Sequence, residues 1–133
     1  MSRPFIFIGT HRLQEGKREA YEAYVADFVR FIDEHEPQLQ LFTFFLDEDA
    51  EHVSVVQVHP NAESMGLHMQ VAHQHIGDAY TEYLEETVSI QIFGEPTPEV
   101  LAMMQRLAGD GVPVSIHRPF AGFDRLLQQT SPS

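Results

Sequence analysis

Apolar residues along the chain form two patterns, short unbroken runs and one long stretch with a three- and four-residue repeat. Short apolar runs bounded by polar or turn residues are typical of buried strands. They predict four β-strands, at residues 5–8, 41–46, 53–58 and 88–93. The repeat, carried by residues such as Tyr21, Phe28 and Ile32, predicts an amphipathic helix over 17–35 that ends before Pro37.

A second helical region follows the third strand. Asn61 is a good N-cap and Glu63 suits the first helical turn, so a helix is expected from there to about Ala72. A further helical piece is expected at about 79–86, with a break at Gly77. The resulting order, β-α-β-β-α-β, predicts an α+β fold of the ferredoxin-like type with an antiparallel sheet.

The chain continues beyond this unit. Thr97-Pro98-Glu99 resembles a helix start, and the helix is expected to reach about Leu107. Residues 112–116 predict a fifth strand, which must lie at an edge or be irregular because prolines flank it. We therefore expect one domain, with a core at 1–95, a helix-strand extension at 96–127 and a flexible tail at 128–133.

The predicted strands do not alternate cleanly between apolar and polar residues. An antiparallel sheet with one solvated face should alternate, so both faces of this sheet need a cover. The helices supply one cover, and a chain of 133 residues has little left for the other. The pattern therefore predicts a homodimer.

Composition excludes several classes of function. Eight Lys and Arg residues against 20 Asp and Glu give a net charge of −12, which disfavours nucleic acid and anionic membrane surfaces as partners. The chain has no cysteine, no apolar run of membrane-spanning length and no signal-peptide pattern, so a cytoplasmic protein is expected. Neither a Gly-flanked nucleophilic serine nor a phosphate-binding glycine loop is present.

Several short motifs, in order and spacing, resemble the antibiotic biosynthesis monooxygenase-like family of dimeric α/β barrels. The resemblance covers roughly residues 5–95 and rests on Phe7-Ile8-Gly9-Thr10, Gly16-Lys17, the segment 55–65, His68-Met69 and Ile92-Phe93-Gly94. It implies a ferredoxin-like subunit that pairs through its sheet, and a function among enzymes that oxygenate polycyclic aromatic compounds without metal or flavin. Some relatives degrade haem, and many have no assigned reaction.

The chain departs from the enzymes of that family in two ways. It has no tryptophan and no asparagine on the first strand, whereas the haem-degrading and quinone-forming relatives commonly use both. Haem degradation is therefore disfavoured, and aromatic oxygenation lacks one of its usual residues. The segment Gly122–Leu126 resembles a feature of a subgroup, and no role is carried over for it.

His68 is the leading candidate for chemistry because it interrupts an apolar helical stripe. It is either a hydrogen-bonded core imidazole or an acid/base group in a cavity between helices and sheet. Gln57, a polar residue within an apolar strand, faces either the cavity, where it would assist His68 as a second catalytic residue, or the partner subunit. The spacing of His68, His73 and His75 fits metal chelation poorly, so no metal and no cofactor are expected.

Four more residues are candidates for ligand binding. Tyr24 and Phe28 share an aromatic helical stripe, which equally suits a core. His75 lies two helical turns beyond His68, and Gln91 faces either a cavity or the partner subunit. The expected ligand is small and hydrophobic or aromatic. Together these features predict a cofactor-independent monooxygenase-like protein acting on a small aromatic or polyketide-like compound, or alternatively a non-catalytic homodimer that binds a small ligand or regulates.

Overall fold

The computed structural model describes residues 4–126, and the predicted tail at 128–133 lies outside them. The predicted α+β, ferredoxin-like order is confirmed, with the helix and strand of the extension following it. The elements are β1 (Phe5–Leu13), α1 (Arg18–His35), β2 (Leu41–Leu46), β3 (His52–His59), α2 (Ala62–Val71), α3 (His73–Glu82), β4 (Leu84–Phe93), α4 (Pro98–Ala108) and β5 (Val114–His117).

Three boundary predictions were wrong. The first strand, predicted at residues 5–8, continues to Leu13 because the added residues pair with β3 and β4. The second helical region breaks at Ala72 rather than Gly77. Ala72 is fully buried, and it is both the C-cap of α2 and the N-cap of α3. The helix predicted at 79–86 ends at Glu82, since the chain from Leu84 onward pairs with β1. Glu85 and Glu86 favour a helix in this segment, but its pairing with β1 makes it part of a strand.

The five strands form an open sheet in the order β2-β3-β1-β4-β5. The first four pair antiparallel, and β5 lies parallel to β4 at the edge, where its flanking prolines are tolerated. The register between β1 and β4 shifts after Thr10 and again after Arg12. Gly9 lies in the middle of β1, where there is little room for a side chain. A Cβ added at this position would lie 3.0 Å from the Phe7 ring.

All four helices contribute buried residues to the face of the sheet that carries Phe5, Phe7 and Val55. Met65 of α2 and Met104 of α4 pack on one end of this face. Tyr21 of α1 and Ala79 of α3 join the other end. The helix-side face therefore carries the hydrophobic core. None of the helices within residues 4–126 is both long and apolar enough to cross a membrane.

The opposite face of the sheet, which we call the open face, faces away from the helices. By register it carries Ile6, Ile8, Val56, Val58, Leu41, Phe45 and Phe93, with Thr and Ser among them. Phe45 is 54% exposed and Leu41 is 41% exposed. Charged groups lie at one end of this face, where Arg12 pairs with Glu86. The prediction that the strands are apolar on both faces therefore holds at the other end of the sheet.

Candidate functional site

A narrow cavity of about 60 Å³ lies between the helix-side face and the helices. Phe7, Phe42 and Phe44 form much of its sheet wall, and Met65 and Met69 of α2 form part of its helical wall. The lining is mostly apolar. Its polar members are His11, Gln57, His68 and the tyrosines Tyr21, Tyr24 and Tyr80.

His68 is paired with a buried carboxylate. It is 1% exposed, and its Nδ1 lies 2.9 Å from Oε2 of Glu36, which is 2% exposed. Glu36 caps α1, with its backbone N–H bonded to the carbonyl of Ile32, and Pro37 then turns the chain toward β2. A carboxylate oxygen accepts, so the Nδ1–H of His68 donates to Glu36, and Nε2 is the ring nitrogen left for the cavity.

Nε2 of His68 has no hydrogen-bond partner within residues 4–126, and the side chain lines the cavity. A carboxylate behind an imidazole fixes its tautomer and stabilises the cation that forms when the ring takes a proton. The pair therefore has the arrangement of a general base.

A second buried histidine holds Gln57 in place. His59 is fully buried, with Nε2 2.8 Å from Oε1 of Gln57 and Nδ1 2.6 Å from Oγ of Ser64. Burial, with His68 close by, lowers the pKa of His59 to about 3, so the ring is neutral near pH 7. Nε2–H then donates to Gln57, and Nδ1 accepts from the Ser64 hydroxyl. The amide nitrogen of Gln57 is left to donate toward the cavity.

His11 of β1 is a third imidazole of the cavity wall. Its Nδ1 lies 3.1 Å from the hydroxyl of Thr87, and its ring meets the edge of Tyr80. Burial lowers the pKa of His11 to about 4 and raises the pKa of Tyr80 above its ordinary value. Both groups are therefore neutral near pH 7, and they can hydrogen-bond a ligand without carrying charge.

The ligand-binding candidates are divided by the structure. Tyr24 and Phe28 line the cavity, and the Tyr24 hydroxyl donates to the backbone carbonyl of His75. His75 itself is stacked on Phe28, with ring centroids 4.8 Å apart, and lies outside the lining. Gln91 lies on the open face and does not reach the cavity.

The histidines do not assemble into a metal centre in the part of the chain that the structure describes, where no group of three or more His, Cys, Asp or Glu residues is placed to hold an ion. His73 is exposed at the start of α3.

Sequence reasoning brought His68 and Gln57 to the same cavity but missed the groups behind them. The sequence does not reveal Glu36, His11 or Ser64 as members of a site. The available signal was limited: Glu36 is one of many acidic residues on α1, and only the fold shows that it points inward. His11 has the same strand parity as Phe5 and Phe7, a signal that could have placed it on their face had the first strand been predicted to extend that far.

No protein-family model matches the chain, and no curated protein sequence matches it. Similarity appears among solved structures. MupZ from Pseudomonas fluorescens superposes with a TM-score of 0.73 at 18% identity, covering 99% of this chain and 95% of MupZ. A candidate antibiotic biosynthesis monooxygenase from Caulobacter crescentus gives a TM-score of 0.60 at 12% identity, covering 68% of this chain and 88% of that one. Another from Chloroflexus aurantiacus gives 0.50 at 18% identity, covering 64% and 88%.

The chain has the fold of these monooxygenase-like proteins. The share covered by the Caulobacter crescentus structure, 68%, is about the length of the segment from β1 to β4. The match to MupZ extends over nearly the whole chain and so includes α4 and β5. The extension is thus part of a fold already seen in a solved structure.

Proposed function

We propose that the protein is a cofactor-independent monooxygenase that oxidises a small aromatic or polyketide-like compound with dioxygen. The observation that carries this proposal is the Glu36–His68 pair, whose free Nε2 meets an apolar cavity. A base oriented by a buried carboxylate is what deprotonation of an electron-rich substrate requires. The monooxygenase-like fold agrees with this chemistry.

The reaction needs few groups. Nε2 of His68 removes a proton from an acidic CH₂ position, and the resulting carbanion gives one electron to dioxygen. The two radicals combine into a C–O bond, and His68 returns its proton to the peroxide. Loss of water then breaks the O–O bond and leaves a carbonyl, with one oxygen atom in the product. The Gln57 amide donates to the oxyanion of the deprotonated substrate, which the low-dielectric cavity makes more effective.

The size of the cavity favours a small substrate. An apolar cavity of about 150 Å³ admits benzene, whereas this one measures about 60 Å³. A ring therefore enters only when side chains move, and Met65 and Met69 are the adaptable ones in the wall. We expect single-ring compounds to be accepted before polycyclic ones.

Oxygen uptake with a panel of hydroxylated aromatic compounds tests the proposal. Wild type should consume oxygen with at least one compound, and His68→Ala should lose at least a hundredfold in rate, in the range by which a general base accelerates a reaction. His73→Ala is the matched control, since His73 is exposed and outside the cavity. Equal turnover by His68→Ala and wild type would remove His68 from the mechanism.

The alternative, a non-catalytic protein that binds a small ligand, is favoured by the narrowness of the cavity. It predicts no oxygen uptake with any compound, together with saturable binding of a single-ring phenol. In that case Gln57→Leu should weaken binding of the phenol, and neither wild type nor the variant should consume dioxygen.

We also propose that two copies of the chain pack through their open faces. Ile6, Ile8, Val56 and Val58 lie together on that face with polar but uncharged neighbours, a composition typical of a buried interface. Sedimentation at micromolar concentration should give a dimer. Ile8→Lys and Val56→Lys each place a charge in the centre of the face and should give monomers, whereas Gln105→Lys on the exposed side of α4 should not.

A further inference from the structure

The segment that follows β5, residues 118–126, carries two phenylalanines in solvent. Phe120 is 99% exposed and Phe123 is 78% exposed, more than any other large apolar residue described. We call this segment the C-terminal arm. Exposed aromatic residues that lie close together mark contact surfaces.

The arm has a fixed starting point. The N–H of Gly94 donates to the carbonyl of His117 over 2.8 Å, and the Arg118 guanidinium bonds both carboxylate oxygens of Glu95 at 3.0 and 3.3 Å. The arm shares a surface groove with Ile6 and Phe93, both of the open face. It is therefore continuous with the surface proposed for dimerisation.

The opposite edge of the sheet carries a matching surface, which we call the β2-edge groove. Its lining includes the apolar residues Val29, Ile32, Leu39 and Leu41 and the polar residues Asp33, Glu36 and Gln40, and it measures about 220 Å³. Leu41 and Val29 are exposed. None of the ion pairs among residues 4–126 involves Asp33, nor Arg125 of the arm, whose guanidinium lies 4.4 Å over the ring of Phe123.

The register places the two surfaces at the same level of the sheet. His117 pairs with Phe93, Phe93 with Ile6, Ile6 with Val58 and Val58 with Leu41, so the arm and the groove lie at opposite ends of one row. When two open faces meet about a two-fold axis parallel to the strands, β5 of one subunit lies over β2 of the other. Each arm then reaches the partner's groove, and the contact is made twice.

We infer that the C-terminal arm docks in the β2-edge groove of a second copy, with Phe120 and Phe123 against its apolar residues Val29 and Leu41 and Arg125 beside Asp33. The inference rests on the proposed open-face dimer and adds its orientation. It also gives a role to the part of the chain after β4, which exceeds the length matched by the smaller monooxygenase-like structures.

Cross-linking tests the orientation directly, because the chain has no cysteine of its own. The double variant Phe123→Cys/Leu41→Cys, treated with a short bis-maleimide, should give a covalent dimer. Within one subunit the two edges are four strand spacings, about 19 Å, apart, beyond the reach of a short linker. Phe123→Cys/Gln105→Cys is the matched control, with the second thiol on the exposed side of α4, and should stay monomeric on a denaturing gel.

Charge reversal tests the ionic contact. Arg125→Glu should weaken the dimer and Arg125→Glu/Asp33→Arg should restore it, as measured by sedimentation at low salt. Phe120→Ser/Phe123→Ser should raise the dimer dissociation constant at least tenfold, since buried aromatic residues dominate interface energies.

The outcomes separate this inference from the proposals on which it rests. A monomeric wild type would overturn both the open-face dimer and the arm contact. A stable dimer that gives no Phe123–Leu41 cross-link and tolerates the Phe120/Phe123 change would overturn the arm contact alone. The proposed reaction is tested separately, by the oxygen uptake of His68→Ala.

Discussion

The two buried neutral histidines should make the fold sensitive to acid. The pKa of His59 lies at about 3 and that of His11 at about 4, both lowered mainly by burial, against about 6.5 in an unfolded chain. Below pH 6.5 the unfolded chain binds protons at these positions and the folded chain does not. Stability is therefore fully present above pH 6.5 and is lost as the pH falls toward 4 and 3.

The size of the effect follows from the pKa differences. At pH 5 each ring costs the folded state about 1.5 times 1.36 kcal/mol, or about 2 kcal/mol, relative to pH 8. Two such losses are a large part of a typical stability of about 5–15 kcal/mol. We expect the urea midpoint to fall steeply between pH 7 and pH 4.

Substitution isolates each contribution. His59→Gln and His11→Gln will lower stability at pH 8, but each should lose about 2 kcal/mol less than wild type between pH 8 and pH 5. Leu67→Gln, at an exposed position of α2, is the control and should follow the wild-type slope. If the stability of His59→Gln depends on pH as that of wild type does, then His59 is not held neutral by its surroundings. The hydrogen bond by which a neutral His59 orients Gln57 would then be refuted.

Three further predictions concern stability, each measured by urea unfolding at pH 8 and fixed protein concentration. Gly9→Ala should cost about 1–2 kcal/mol because the new Cβ crowds the Phe7 ring, whereas Gly77→Ala in open space on α3 should stabilise by about 0.5–1 kcal/mol; a gain at position 9 would contradict the close approach. Asn61→Ala should cost about 1 kcal/mol, since its side chain accepts from the Ser64 N–H at the start of α2, and an unchanged midpoint would show that this cap is not formed in solution. Met104→Ala, in the fully buried centre of α4, should cost about 2–5 kcal/mol, and a cost under 1 kcal/mol would mean that α4 does not pack on the sheet as described.

The fold was largely predictable because its signals are local. Apolar runs placed β2 within its observed bounds, and the Thr97-Pro98-Glu99 start of α4 is confirmed by the bond from the Val100 N–H to the Thr97 hydroxyl. Boundaries failed where tertiary contacts decide them. Leu84 to Thr87 is strand because β1 pairs with it, and Ala72 ends α2 although glycine lies nearby at position 77.

The site was less predictable because its members come from distant parts of the chain. His68 could be chosen because a histidine within an apolar stripe is conspicuous on its own. Glu36 could not, since it lies 32 residues away and becomes a partner only when the fold brings the end of α1 to α2. Gln57 and Gln91 looked alike in sequence, and only the strand register places one on the helix side and the other on the open face.

The central position of β1 bears on how the chain is made. Of the five strands this one is synthesised first, yet its two neighbours are formed by residues 52–59 and 84–93. A nascent chain therefore holds the apolar β1 without a partner until residues 52–59 are made, and with one edge unpaired until residues 84–93 are made. Such long-range pairing slows folding and exposes the chain to aggregation during translation.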